Sequence, residues 1–189
     1  MPSRRMFLRT LAGVTGVGMI TTAGCIGRIQ LPEEGVLTYK SVHVGWRYEE
    51  RMRWADLCWV WSDGERRIFG WYPEEYPEVV PSSSVVVATD ELERRLNRDF
   101  DGLEYRLGFT RPNRTGGELR STDWFVALAS RHDFNSVQFG DVATVAFDTS
   151  HVSVSHVRKD AVGPVDDWEQ LVRPMDFSET FASAGVPIT

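Results

Sequence analysis

Cysteine and lysine are both scarce in this 189-residue chain: Cys25 and Cys58 are its only thiols, and Lys40 and Lys159 are its only lysines among 21 basic residues. With so few cysteines no disulfide framework can stand in for a hydrophobic core. Long apolar runs are lacking too. The uncharged stretch ahead of Cys25, Thr10 to Gly24, has fifteen residues rich in Gly, Thr and Ala, short of the roughly 20 apolar residues a membrane-spanning helix needs. Familiar chemical signatures are missing. There is no Gly-x-Ser-x-Gly elbow, no phosphate loop and no dinucleotide glycine fingerprint. After Cys58 the next histidine is His132, so the Cys, His, Met order of a blue-copper site is absent. His151 and His156 are an odd number of residues apart, which on a regular strand turns them to opposite faces and away from a shared metal. No metal or cofactor is expected.

What is present begins at the N-terminus. Arg4 and Arg5 are followed by Met6, Phe7, Leu8 and Arg9, then by the uncharged stretch, and Ala23-Gly24 precede Cys25. Small side chains next to a cysteine fit the groove of a signal peptidase. Over residues 1 to about 27 this resembles the signal and lipobox of haloarchaeal lipoproteins exported by the twin-arginine route, with Thr22 where that pattern has a larger aliphatic. The resemblance implies a signal peptide at 1–24, lipid attachment at Cys25 and a location on the outer face of the cytoplasmic membrane. Residues 25–35 then form a lipidated cysteine and tether, and 36–189 a single extracytoplasmic domain.

Removing residues 1–24 takes away Arg4, Arg5 and Arg9 and no acid, so 18 bases remain against 27 acids, a charge of −9. That sign repels nucleic acid and anionic headgroups, which leaves the covalent lipid as the membrane attachment. An acidic, lysine-poor surface also agrees with a haloarchaeal source, where concentrated salt screens the repulsion. Cys58 sits in an apolar run without a nearby His or Lys and is expected to pack as a small hydrophobe.

Along the domain, apolar residues alternate with polar ones in 42–48 and 103–109, and strands are also expected near 57–62, 65–72, 84–88, 122–130, 141–148 and 151–158. Asp63-Gly64 reads as a two-residue hairpin turn, which sets Trp61 opposite Arg66, Trp59 opposite Ile68 and Val60 opposite Arg67. Pro73, Pro77 and Pro81 mark an extended connection. Asp90 with Glu93, Leu92 and Leu96 predicts one helix, stopped at Gly102. A second, short helix is expected at 166–172, opened by Asp166 and Glu169, and the tail from Pro174 is expected to be irregular. The fold class that follows is mainly β, an antiparallel sandwich or small barrel with one packed helix and a short C-terminal helix.

Trp46, Trp54, Trp59, Trp61 and Trp71 crowd into 26 residues, joined by Tyr48, Tyr72 and Tyr76. Most of these rings are expected in a β core. Trp61, beside the turn with Arg66 available to stack on it, is the ring expected to meet a ligand, a glycan or small apolar molecule. Asn113 heads a glycosylation triplet within the loop 110–121. The leading functional expectation is a surface-anchored binding or interaction domain that meets such a ligand or an envelope protein. An extracytoplasmic hydrolase and a structural envelope component are the alternatives.

Overall fold

The computed structural model describes residues 32–63, 66–111 and 124–183. Among them the architecture is mainly β, one mixed eight-stranded sheet with short helices. Its organising element is β1 (Glu33–Tyr48), 16 residues long. Along one edge β1 pairs with β4 (Gly102–Thr110); along the other it pairs first with β6 (Val142–Asp148), through Glu33–Val36, and then with β2 (Arg51–Ser62), through Tyr39–Tyr48. β4 continues to β5 (Trp124–Ala129), β5 to β7 (His151–Arg158) in parallel, and β7 back to β6. The pairings β1, β4, β5, β7, β6 and β1 again close a ring. Of the two closures left open by the sequence, the structure takes the barrel. Its connectivity, with a helix between the third and fourth ring strands, is that of the five-stranded Greek-key barrels of OB type. β2, β3 (Arg67–Pro73) and β8 (Glu169–Met175) extend the sheet sideways from the second half of β1.

One face of this sheet makes the core. Val42 and Val44 of β1, Cys58 and Val60 of β2, Ile68 of β3 and Leu107 of β4 are buried, and Leu92 and Leu96 of α1 (Asp90–Asp99) and Phe134 of α2 (Arg131–Ser136) close over them. Lys40 lies on this inward face, opposite Val60 and Leu107. It is fully buried, and its Nζ donates to the carbonyls of Val86, Phe134 and Val137 at 2.7, 2.6 and 2.9 Å. All three ammonium hydrogens find an acceptor, which is the condition for a buried charge to persist.

Several expectations are corrected. The helix at 90–99 is present, but its cap is Thr89, whose hydroxyl accepts from the Leu92 N–H, and it ends at Phe100 before Gly102 opens β4. The strand expected at 84–88 is absent apart from an isolated bridge between Val85 and Ser82. The backbone of Val86 and Ala88 is served by side chains instead, with Asn135 bonded to both polar groups of Ala88, Gln138 to both of Val86, and Lys40 to the Val86 carbonyl. The expected helix at 166–172 is a 3-10 turn (Val165–Asp167) followed by β8, parallel to β3. Pro174 disfavours helix in the residue before it, and at a sheet edge its missing N–H costs no ladder bond. The tail carries a short helix, α3 (Ser178–Ser183), begun by Asp176, which accepts from the Ser178 N–H and hydroxyl. Glu33–Gly35, expected in the tether, already pair with β6.

The hairpin register also differs. Ser62 pairs with Ile68, Trp61 with Phe69, Val60 with Gly70 and Trp59 with Trp71. The connection is longer than two residues: Arg66 has φ 63°, and Arg67 Nε donates to Asp63 Oδ2 at 2.6 Å across the turn. Gly64 lies outside the described residues. The two-residue turn with both central φ values positive is at Glu49-Glu50, between β1 and β2, where neither Gly nor Asn announces it.

Candidate functional site

With one parity of β1 and β2 committed to the core, the other parity builds an outward face. On β1 it carries Tyr39, Ser41, His43 and Gly45; opposite these on β2 stand Trp61, Trp59, Asp56 and Trp54, and on β4 Gly108, Arg106, Glu104 and Gly102. A bulge between Val42 and His43 brings Asp56, not Leu57, opposite His43. Phe69 and Trp71 of β3 continue the rows beyond Trp61 and Trp59.

The half of this face near the β2–β3 turn is aromatic. Tyr39 meets Trp59 edge-on at 6.3 Å, Trp59 lies 6.1 Å from Trp61, and Trp61 stacks on Phe69 at 5.0 Å with 24° between the planes. Trp59, Trp61 and Phe69 are half-buried and pack on one another outside the main core. The core position expected for Trp59 is therefore corrected: Cys58 and Val60, smaller and of opposite parity, go inward. Trp61 has Phe69 for its partner in place of Arg66. The guanidinium lying over Phe69, at 5.5 Å, belongs to Arg67, while Arg66 is exposed and its carbonyl accepts from the Glu169 N–H.

The other half is polar. His43 Nε2 lies 2.5 Å from Asp56 Oδ1, and Arg106 Nη2 donates to Glu104 at 2.9 Å. Between this row and the rings, Ser41 is fully buried, and its Oγ faces the Tyr39 phenol without a well-formed hydrogen bond. Burial raises the phenol pKa of Tyr39, the Ser41 contact opposing it. At the far end the indole of Trp54 lies over Gly45 and Gly102.

Ser41, His43 and Asp56 on one face are the residue types of a hydrolytic triad, but the arrangement cannot act as one. Ser41 is covered by its neighbours, so no substrate carbonyl reaches it. The strands on both sides of β1 occupy its ladder with β2 and β4, which leaves no backbone N–H pair free to stabilise an oxyanion. What the face offers is stacking and hydrogen bonding.

Elsewhere, an open cleft of about 290 Å³ lies at the end of the barrel where β1 begins, between Phe125, Phe147 and His151 and the ion pair of Glu33 with Arg111. Among the described residues no group of three or more His, Cys, Asp and Glu is placed to hold a metal. His151 is exposed beside the 149–150 turn, and His156 takes φ 48° at a bulge in β7. Cys58 is buried in the core as expected, and burial pushes its thiol pKa up, away from reactivity. Arg4, Arg5, Cys25 and Asn113 lie outside the described residues. The His43–Asp56 contact and the Trp54 bed escaped the sequence reading; both are made by strand pairing between residues distant in sequence. No known family, no curated protein and no solved structure matches the chain.

Proposed function

We propose that this chain is a twin-arginine-exported lipoprotein, held at the outer face of the cytoplasmic membrane through Cys25, and that its domain is a binding module whose ligand surface is the outward face of β1, β2, β3 and β4. The observation that carries the binding reading is the row of half-buried rings Trp59, Trp61 and Phe69 on the outward sheet face, with the buried Tyr39 edge-on to Trp59. A domain already stabilised by a separate core gains little from placing its largest rings half in water, whereas a ligand of matching flatness would cover them. The Arg4-Arg5 pair and the Ala23-Gly24-Cys25 run support the address, and the −9 charge of residues 25–189 leaves the lipid as the attachment.

Two experiments test this. Cys25→Ser is expected to release a folded protein from the membrane fraction, and Arg4→Lys with Arg5→Lys to leave precursor inside the cell. A Cys25→Ser protein with its signal removed that stays wholly membrane-bound would refute the anchor, and normal export of the double variant would refute the route. For the face, a screen of glycans and apolar probes read by tryptophan emission is expected to yield a binder that Trp61→Ala weakens with the fold intact; indifference to Trp61 returns the rings to packing alone.

A further inference from the structure

We infer that Trp54, laid across Gly45 and Gly102, is the floor of a subsite for an uncharged saccharide, with Asp56, Glu104 and Arg106 as its polar wall. The inference rests on the binding reading and deepens it by naming the ligand class and a second position on the face.

The bed comes first. A Cβ on Gly45 would stand 3.1 Å from three fused-ring atoms of Trp54, and a Cβ on Gly102 would stand 2.7 Å from its Cη2. Equal distances to several ring atoms mean that the indole lies flat, so a side chain at either position would lift it. Asp101 holds the two glycine strands together beneath the ring: its N–H donates to the Gly45 carbonyl and its carboxylate accepts from the Arg47 N–H, both at 2.8 Å. With one face on backbone, Trp54 is still 44% exposed, so the other face is open. An aromatic ring shielding glycine backbone is a known way to stabilise a sheet, and that accounts for the ring alone.

It does not account for what stands beside the ring. In the two rows next to Trp54, His43 Nε2 and Asp56 Oδ1 pair with each other at 2.5 Å, while Ser41 Oγ and Arg106 Nε are buried without a hydrogen-bond partner among the described residues. Buried polar groups in native proteins are as a rule paired, with protein, water or ligand. Asp56, Glu104 and Arg106 keep 37%, 27% and 36% of their side chains exposed, so the outer atoms of these rows reach the surface next to the open indole. A ligand that fits must be flat and apolar on one face and rich in hydroxyls at its edge, which describes a pyranose. Its C–H face lies on the indole, its hydroxyls donate to the two carboxylates and accept from the guanidinium. An apolar ligand would strip water from the polar row without replacing its hydrogen bonds. An anionic sugar or nucleotide would meet two carboxylates against one guanidinium in a chain that is itself acidic.

The test uses the full chain in detergent and molar salt, with methyl glycosides of glucose, mannose and galactose as neutral probes and glucuronate as the charged one, read by saturation-transfer NMR and tryptophan emission. At least one neutral glycoside is expected to bind and glucuronate to bind more weakly. Trp54→Ala should weaken binding about tenfold or more and Trp54→Phe less, and Asp56→Asn should weaken it with an unchanged melting temperature. Glucuronate binding more tightly than every neutral glycoside overturns the charge argument. Binding lost in Trp61→Ala but not in Trp54→Ala overturns this subsite and leaves the face standing. An apolar probe, N-phenyl-naphthylamine, that binds where no glycoside does overturns the saccharide class alone; if neither binds, both readings fall.

Discussion

Lys40 gives the sharpest test of how this fold is held together, because one side chain ties two backbone segments that contribute no strand to the core, 86–89 and the end of α2. Lys40→Ala removes the donor and the stem together. Val86 keeps the Gln138 amide at 3.3 Å, so two carbonyls, of Phe134 and Val137, lose the ammonium, at about 1 to 3 kcal/mol each. The lost stem adds a cavity term of about 2 kcal/mol or more. A cost of roughly 4 kcal/mol or more would exhaust much of the 5 to 15 kcal/mol typical of a domain. Lys40→Met keeps the stem and also abolishes the buried charge, whose desolvation offsets part of the loss, so it should cost about half as much or less.

The pH dependence separates the two contributions. Burial holds the Lys40 ammonium well below its ordinary pKa of 10.5. At pH below the depressed value both folded and unfolded chains carry the proton. Between that value and about 10.5 only the unfolded chain binds it, so stability rises with pH, by at most about 1.4 kcal/mol per unit, and levels off above. Burial raises the phenols of Tyr76 and Tyr105, which makes stability fall above about pH 10, but that loss is common to both proteins and cancels in a difference. Urea unfolding of wild type and Lys40→Met from pH 7 to 10.5 should therefore show wild type gaining on the variant as pH rises. Parallel profiles, or a methionine variant as unstable as the alanine one, would refute the reasoning.

Gly70→Ala should destabilise the domain by more than about 2 kcal/mol in thermal melts, because at φ 155° its Cβ would stand 2.2 Å from the Trp59 carbonyl oxygen; an unchanged melting temperature would mean that β3 does not lie where the register places it. Trp61→Ala, Phe69→Ala and the double variant should show a coupling of about 0.5 to 1.5 kcal/mol from the stacked pair, and strict additivity would deny the stack. Melting temperature should rise from low to molar potassium chloride as the screening length shrinks to about 3 Å, since the acidic residues outnumber the basic ones; a flat or falling curve would count against a brine-adapted surface.

The alternation of Val42 and Val44 against His43 and Gly45 made β1 legible as a strand with one buried face, and both valines are fully buried. In 57–62 both parities are apolar, so the core face could not be chosen from hydrophobicity, and size pointed to the wrong one. The larger rings face out because the inward space between the sheet and the helices is filled by Val60, Ile68 and Lys40. Asp63-Gly64 promised a tight turn, yet the Arg67–Asp63 pair closes a longer one, and a shift of register follows. α2 spans six residues, fewer than two turns, too short for periodicity to show. Asp56 and His43 meet only because a bulge drops Leu57 from the pairing, and the bed of Trp54 needs two glycines from strands far apart in sequence. Such juxtapositions are properties of the register, and the register is not written in either strand alone.

The long β1 also orients the face relative to the proposed anchor. Arg111 grips the Glu33 carboxylate with two hydrogen bonds, at 2.6 and 3.1 Å, where β1 begins. A lipid on Cys25, eight residues earlier, would hold that end within about 28 Å of the bilayer. The 16 residues of β1 extend up to about 50 Å at a strand's rise, and the hairpin it forms with β2 carries Trp54 near its far end. If that anchor holds, repulsion between the acidic surface and anionic headgroups would keep the domain from lying down, and the far end would point away from the membrane. In vesicles containing doxyl-labelled lipid, the emission that distinguishes wild type from Trp54→Phe should then be unquenched. Strong quenching of that component would place the hairpin at the bilayer and would require a lipid, in place of an outward saccharide, as the occupant of the Trp54 bed.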